Sequence, residues 1–313
     1  KWEPWWVEFL GACMAELWGT AIIVFYGCGS VCSALFAGTQ ADIVGIAATW
    51  GVGVAVAIYS TASISGAHLN PAVSLAFALF RPNLFEMWKL PFYVASQLAG
   101  GTLAGALNYG IWRKAIARFE SLSGIVRGQP GSELSASAFG EYFPNPALMY
   151  IEARDEDPRA TQFLDVNEVT VVDALCVEAW GTLLLMVTIL AVTDEKCAVL
   201  RDTTGLVPFI IGGVIMCNLV CYAPITQAGW NPARDFGPRI AAYFAGWGSV
   251  AIPGPRNGFW IYIVGPCIGA CLGAVLYDFF LAFHLRKTYV RLASMLLPHR
   301  HAPLRSLASH EMR

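Results

Sequence analysis

The sequence predicts an all-α membrane protein of six transmembrane helices and two half-helices arranged as an inverted repeat. Three observations carry that expectation. The 313-residue chain is 56% hydrophobic and only 13% charged, with a mean hydropathy of +0.54, which places it among chains whose solvent is lipid. Six stretches approach the roughly 20 apolar residues that cross a hydrocarbon core of about 30 Å. Two Asn-Pro pairs, in "SGAHLNPAVSLAF" from Ser65 and "QAGWNPARDFGPRI" from Gln227, follow apolar runs with no exposed loop between.

The spans fall at residues 5–25, 43–62, 90–112, 174–193, 206–223 and 259–281. The first lacks a basic leader and a small-residue cleavage site, so it is not read as a signal peptide. Charge inside the spans is confined to Glu8, Glu16, Glu178 and Asp278, of which only Glu16 and Glu178 sit well away from an end. An intramembrane carboxyl suggests function by default, including proton coupling. The matched placement of these two favours a quieter role, in which each accepts N–H groups from the non-helical loop before a half-helix and anchors it.

The repeat organises the chain. "AELWGT" from Ala15 is echoed by "VEAWGT" from Val177, and Glu16 precedes Asn70 by 54 residues where Glu178 precedes Asn231 by 53. Two landmarks in the same order and spacing imply duplication. Three spans separate the copies, so the second half enters the membrane from the opposite face. The expected division is a channel domain at 1–285, with repeats at about 5–112 and 172–283 and a polar external loop at 113–171, followed by a basic tail at 286–313. A basic end beside a span stays in the cytoplasm, and an even number of spans then puts the start there too. The short loops around Arg81/Lys89 and Lys196/Arg201 add little bias. The tail is amphipathic as well as basic and fits either a lipid surface, a calmodulin-like partner or a solvated helix end. His299 and His301 there have no partner that the sequence identifies.

Asn is a strong N-cap, and Pro suits the first helical position because its missing N–H was unsatisfied there anyway. Asn70-Pro71 and Asn231-Pro232 therefore open helices. From Asn70 the apolar run reaches Phe80 before Arg81-Pro82 stops it, about ten residues or roughly 15 Å, half a bilayer. The second runs from Pro232 to about Phe244 and ends near Gly246. Inserted from opposite faces, the two meet tip to tip at the midplane. Irregular backbone at that depth is tolerated only where it is buried in protein or lines a wet path.

Several classes are excluded. A net charge of −2 leaves no basic surface for nucleic acid. The nine cysteines lie mostly inside apolar runs and read as small packing residues, not disulfides or metal ligands. No catalytic nucleophile, base or metal set converges, so neither an enzyme nor a cofactor is expected.

The paired Asn-Pro-Ala triplets, the "ELWGT"/"EAWGT" echo and "NPARDFGPR" resemble the major intrinsic protein family, the aquaporins and glycerol facilitators, from Trp5 to about Phe283. "IVRG" from Ile125 and "YFPNPA" from Tyr142 are similar to the long external loop of the glycerol facilitators; the Asn145 triplet within it reads as a loop turn. The resemblance implies one pore per subunit, usually in a homotetramer in the plasma membrane, for small uncharged solutes such as glycerol and water. Selectivity in such pores comes from width, lining donors and acceptors, and the barrier raised by an Arg and by half-helix dipoles. On that scheme Asn70 and Asn231 are pore donors. Gly66-Ala67-His68 and Gln227-Ala228-Gly229 supply carbonyls, with His68 also pinning its turn or acting as a gate.

Arg234, three residues into the second half-helix, is the expected filter cation. Trp50 stands where facilitators place a filter Trp, and Asp235 with Arg239 is the acid and base pair that marks them; a surface ion pair is the alternative. The sequence departs from pattern at Leu219, where water-selective members carry His, and at Ala228, where facilitators often carry an aromatic that Trp230 or Tyr222 would have to replace. A wider filter for water, urea, ammonia or metalloid acids therefore stands as an alternative, and a proton-coupled transporter as one of another class. Gly101/Gly105 and Gly265/Gly269/Gly273 form small-residue stripes suited to close crossing within the subunit.

Overall fold

The computed structural model of the chain describes residues 4–39, 42–147, 168–194 and 203–284. The tail at 286–313, with His299 and His301, lies outside them, as do Lys196, Arg201 and Cys197. The helices are α1 (Trp5–Ala37), α2 (Ile43–Ser65), α3 (Pro71–Phe80), α4 (Leu90–Ser123), the single turn α5 (Glu133–Ala136), α6 (Val171–Thr193), α7 (Val207–Thr226), α8 (Pro232–Ala242) and α9 (Ile261–Leu276). No strand occurs among the described residues.

Among the described residues five helical runs are long and apolar enough to cross a bilayer, and α4, at 34 residues, is long enough but less apolar. It differs because Gln97, Asn108 and several glycines dilute its apolar part, and its last third is polar as well. The sequence reading ended that span at Trp112 and began the external loop at 113. The helix instead continues to Ser123, and Gly124 closes it in the left-handed conformation at φ 66°. Reading by hydropathy stops at the first charge, whereas Ile116 in this extension is fully buried and Glu120 is paired with Arg127 at 2.7 Å. The first helix likewise outruns its expected end at residue 25 and reaches Ala37, carrying Cys28 and Cys32 into the core.

The half-helices open as their caps dictate. Asn70 Oδ1 accepts the Ala72 N–H at 2.9 Å, and Asn231 Oδ1 accepts those of Ala233 and Arg234 at 3.0 and 3.1 Å. Pro stands at the first position of each. The first is ten residues long. The second ends at Ala242 and runs into a π-helical turn in which Gly246 takes φ 107°.

Packing repeats between the halves as the sequence does. A Cβ on Gly100 of α4 would stand 2.1 Å from the Leu17 carbonyl oxygen of α1; one on Gly269 of α9 would stand 2.0 Å from that of Ala179 in α6. The glycine of each "WGT" faces the residue just before a half-helix, Gly19 against Leu69 and Gly181 against Trp230. The tryptophans beside them, Trp18 and Trp180, point outward. Each half also grips the other's half-helix. Gly101 and Gly105 press on Ala233 and Pro238 of α8, while Ala72, Val73 and Ala76 of α3 sit in one buried cluster with Ala270 and Ala274 of α9. Where α2 crosses α7, Gly51 and Gly212 meet backbone to backbone. The glycine stripes thus serve packing within the subunit.

The cysteines follow expectation only in part. All eight described ones are free, but Cys176, Cys217 and Cys221 are exposed on α6 and α7 and so do not pack the interior. Their neighbours on the outward face, such as Phe209 and Val220, are exposed as well, and an apolar thiol is at home there for the same reason.

Since the Ala179 carbonyl is backbone and cannot move aside, Gly269→Val is expected to cost about 1–3 kcal/mol through overpacking. Thermal unfolding of the detergent-purified variant should show a lowered Tm; an unchanged Tm contradicts the α6/α9 contact.

Candidate functional site

The tips of α3 and α8 are joined by two reciprocal hydrogen bonds. The Asn70 side-chain amide donates to the Trp230 carbonyl at 2.9 Å, and that of Asn231 donates to the Leu69 carbonyl at 2.8 Å. Each amide oxygen is occupied by its own helix, which fixes the amide's orientation and leaves one of its two N–H groups over.

The turns before the tips are built from left-handed backbone. Gly66, Ala67 and Leu69 have φ of 83, 52 and 52°, and Gln227, Ala228 and Trp230 have 60, 73 and 51°. Only glycine takes such values without strain, so the surroundings must hold the other residues there. Glu16 does this for the first turn, accepting the His68 and Leu69 N–H groups at 2.9 and 2.6 Å, the Ser65 hydroxyl at 2.6 Å and the Gln97 amide at 2.7 Å. Glu178 does it for the second, accepting Gly229 N–H at 3.0 Å, Trp230 N–H at 2.7 Å and the Thr226 hydroxyl at 2.7 Å. Tyrosine hydroxyls repeat the symmetry: Tyr93 donates to the Ser65 carbonyl at 3.0 Å and Tyr262 to that of Thr226 at 3.1 Å. Both carboxyls are fully buried behind the turns.

A cavity of about 270 Å³ runs past the two tips. Thr193 and Thr204 line one end, Trp50 and Arg234 the other, with Asn70 and Asn231 between. Gly66, Ala67, His68, Ala228 and Gly229 also face it, and Leu219 with Ile211 forms part of an apolar wall. Of the expected lining residues, Gln227 does not take part. It caps α7, and its side chain turns to the connection between α5 and α6, accepting the Tyr142 N–H at 2.8 Å and donating to the Ser137 carbonyl at 3.4 Å. Glu16 and Glu178 are also absent from the lining. His68 borders the cavity and packs its ring among Phe77, Phe85 and Tyr93, and its Nδ1 lies 3.2 Å from the Ser74 hydroxyl. Of the two aromatics that could stand in at the filter, Trp230 lines the cavity, whereas Tyr222 meets exposed Trp180 through a 3.2 Å hydrogen bond.

At the Arg234 end the guanidinium carbon lies 3.9 Å from the Trp50 ring centroid, a stacking distance. Its other partner is Glu141 of the connection between α5 and α6, with which it forms a salt bridge buried on both sides. Glu141 is held in turn by its backbone: Asp235 accepts its N–H at 2.7 Å, and Arg239 donates to its carbonyl. Asp235 and Arg239, 2.8 Å apart, are not a surface pair, since both are almost wholly buried; Arg239 also donates to the Ala251 carbonyl at 3.0 Å. Asn145, in the third triplet, accepts the Ala147 N–H at 3.0 Å and donates to the Ala223 carbonyl at 3.0 Å, tying the loop to α7.

Sequence reasoning missed Glu141, Gly19, Gly181 and the Tyr93/Tyr262 pair. The glycines were inside the quoted repeat, and their equal offset from Glu16 and Glu178 was the available signal. Nothing local marked Glu141, whose partner lies 93 residues along the chain.

Comparison with known proteins agrees with this architecture. A family model described as Major intrinsic protein matches residues 5–277. A glycerol uptake facilitator protein of Pseudomonas aeruginosa is 41% identical over 280 residues, 89% of this chain and 91% of that protein. One of Escherichia coli K12 is 38% identical over 277 residues, 88% of this chain and 89% of that protein. A propanediol uptake facilitator of Citrobacter freundii is 36% identical over 275 residues, 87% of this chain and 93% of that protein. Among solved structures, an aquaglyceroporin from Plasmodium falciparum shares the fold with a TM-score of 0.72 at 24% identity, over 89% of this chain and 99% of that one. With the family model spanning both half-helices and all six long helices, the chain is an integral multi-pass membrane protein and belongs to the major intrinsic protein family.

Proposed function

We propose that this chain is a passive channel for glycerol and other small uncharged solutes, with water, that excludes protons and ions. The observation that carries the reading is the cross-bonded pair Asn70 and Asn231, each with an N–H to spare at the wall of a cavity that ends at an Arg and a Trp. A solute leaving water must find both donors and acceptors or lose several kcal/mol. Asn70, Asn231 and Arg234 provide the donors; the carbonyls of Gly66, Ala67, His68, Ala228 and Gly229 provide acceptors. Trp50, Leu219 and Ala228 give the filter its apolar side. Each half-helix brings about half a positive charge to its tip, so two facing tips repel cations, hydronium included. The names of the similar facilitators support glycerol as the solute class.

Glu16 and Glu178 act as loop anchors on this reading, because every contact they make goes to the turns or to a neighbouring helix. The chain divides into a channel domain at 1–285 and a cytoplasmic tail, sits in the plasma membrane with both termini inside, and assembles as a homotetramer. Exposed apolar faces on α2 (Val52, Val56) and α7 (Phe209, Val220) would serve equally against lipid or a neighbouring subunit.

Proteoliposomes holding the purified protein should shrink and reswell in a glycerol gradient faster than empty vesicles, with a flux linear in the gradient and indifferent to an uncoupler. Flux equal to empty vesicles, or uphill accumulation, overturns the proposal. Glu178→Gln puts an amide against three donors and strands at least one, at a cost of roughly 1–3 kcal/mol. Its Tm and solute flux are expected to fall together; lost flux at an unchanged Tm would assign Glu178 a relay role instead.

A further inference from the structure

We infer that Glu141 is a positioning residue of the filter, which sets where the Arg234 guanidinium stands and thereby how strongly the channel favours glycerol over water. The inference rests on the channel reading above and adds to it the residue that controls its narrow end. Four observations lead to it.

Arg234 and Glu141 form a salt bridge in which both side chains are about 95% buried, so the guanidinium's charge is matched by a carboxylate and not by solvent. The guanidinium carbon also stands over Trp50, 3.9 Å from the ring centroid. In that place it covers part of the ring that an apolar carbon chain would otherwise touch, and one of its donors is taken by Glu141. Finally, Glu141 has little freedom to move: Asp235 and Arg239 grip its N–H and carbonyl, and a Cβ at neighbouring Gly140 would stand 2.6 Å from Arg239 Cγ, so the loop lies directly on that pair. The buried Asp235/Arg239 pair thus has a purpose that touches no solute. It delivers one carboxylate to one guanidinium.

Geometry at the cavity supports the same assignment. Arg234 and Trp50 line the passage, whereas Glu141 lines a second cavity of about 760 Å³ bordered by the connections between α4 and α6 and between α8 and α9. The salt bridge therefore spans the wall between the passage and the connection between α5 and α6. Remove the carboxylate and the guanidinium loses the partner that holds it there; the ring face is uncovered and donors turn toward the passage, which benefits a three-carbon polyol more than water.

The test is a double-mutant cycle on the glycerol-to-water permeability ratio, measured by stopped-flow light scattering in proteoliposomes. Glu141→Gln, which keeps shape and removes charge, is made in the wild-type chain and in Arg234→Ala. The ratio is expected to rise by about threefold or more in the first background and to stay within experimental error in the second. A loop that needed Glu141 only for packing would shift the ratio equally in both, and that result overturns the inference, as does a fall or no change in the wild-type background. Should the glutamine variant not purify as a monodisperse protein, the same cycle is run with Glu141→Asp, whose shorter side chain cannot keep the guanidinium on the ring, and the same outcomes decide. Failure of the channel reading shows itself separately, as wild-type vesicles that pass no glycerol at all.

Discussion

Two helix ends of like polarity meet here in the least polar part of the bilayer, and the reciprocal bonds between Asn70 and Trp230 and between Asn231 and Leu69 hold them together. Partial positive charges at facing tips repel. The bonds offset this by giving each tip a carbonyl oxygen of the opposite half. Much of the remaining structure prepares that contact. Proline at the first helical position avoids a stranded donor, glycine at 19 and 181 makes room for the residue just before each tip, and Glu16 and Glu178 collect the N–H groups of turns that no regular secondary structure can satisfy. Because both halves contribute to each bond, neither half can form the junction by itself.

The duplication is faithful in backbone and unequal in charge. The positions matching Arg234, Asp235 and Arg239 in the first half-helix are Val73, Ser74 and Ala78. Ser74 there receives the Gln97 amide at 3.0 Å and lies beside His68, so a hydroxyl, an amide and an imidazole occupy the place that an ion-pair network takes in the second half. A pore made from two equal halves thus acquires one charged end. That end is also where the connection between α5 and α6 is anchored, through Gln227, Asp235 and Arg239, so filter and loop are built as one unit.

What could be read from the chain was what local chemistry repeats. Asn-Pro directly after an apolar run starts a helix, and two of them, 54 and 53 residues after two buried glutamates, marked the inverted halves, the half-helices and the carboxyl anchors. Boundaries set by long-range partners were beyond it: the last third of α4 is polar enough to look like loop and is helix because Ile116 is buried and Glu120 meets Arg127. Gln227 is expected to offer its carbonyl to the pore; the cavity lining does not include it, and its side chain bonds the connection between α5 and α6. Glu141 stayed hidden because an ion pair with a residue in another segment leaves no periodicity.

The central claim is best tested by a cryo-electron microscopy map of the protein in lipid nanodiscs, at a resolution that shows single waters. The account predicts one file of water density past the free N–H groups of Asn70 and Asn231, with each amide bonded across to the other half's turn. A map in which those two asparagines stand apart, or face packed protein with no water between them, would contradict it.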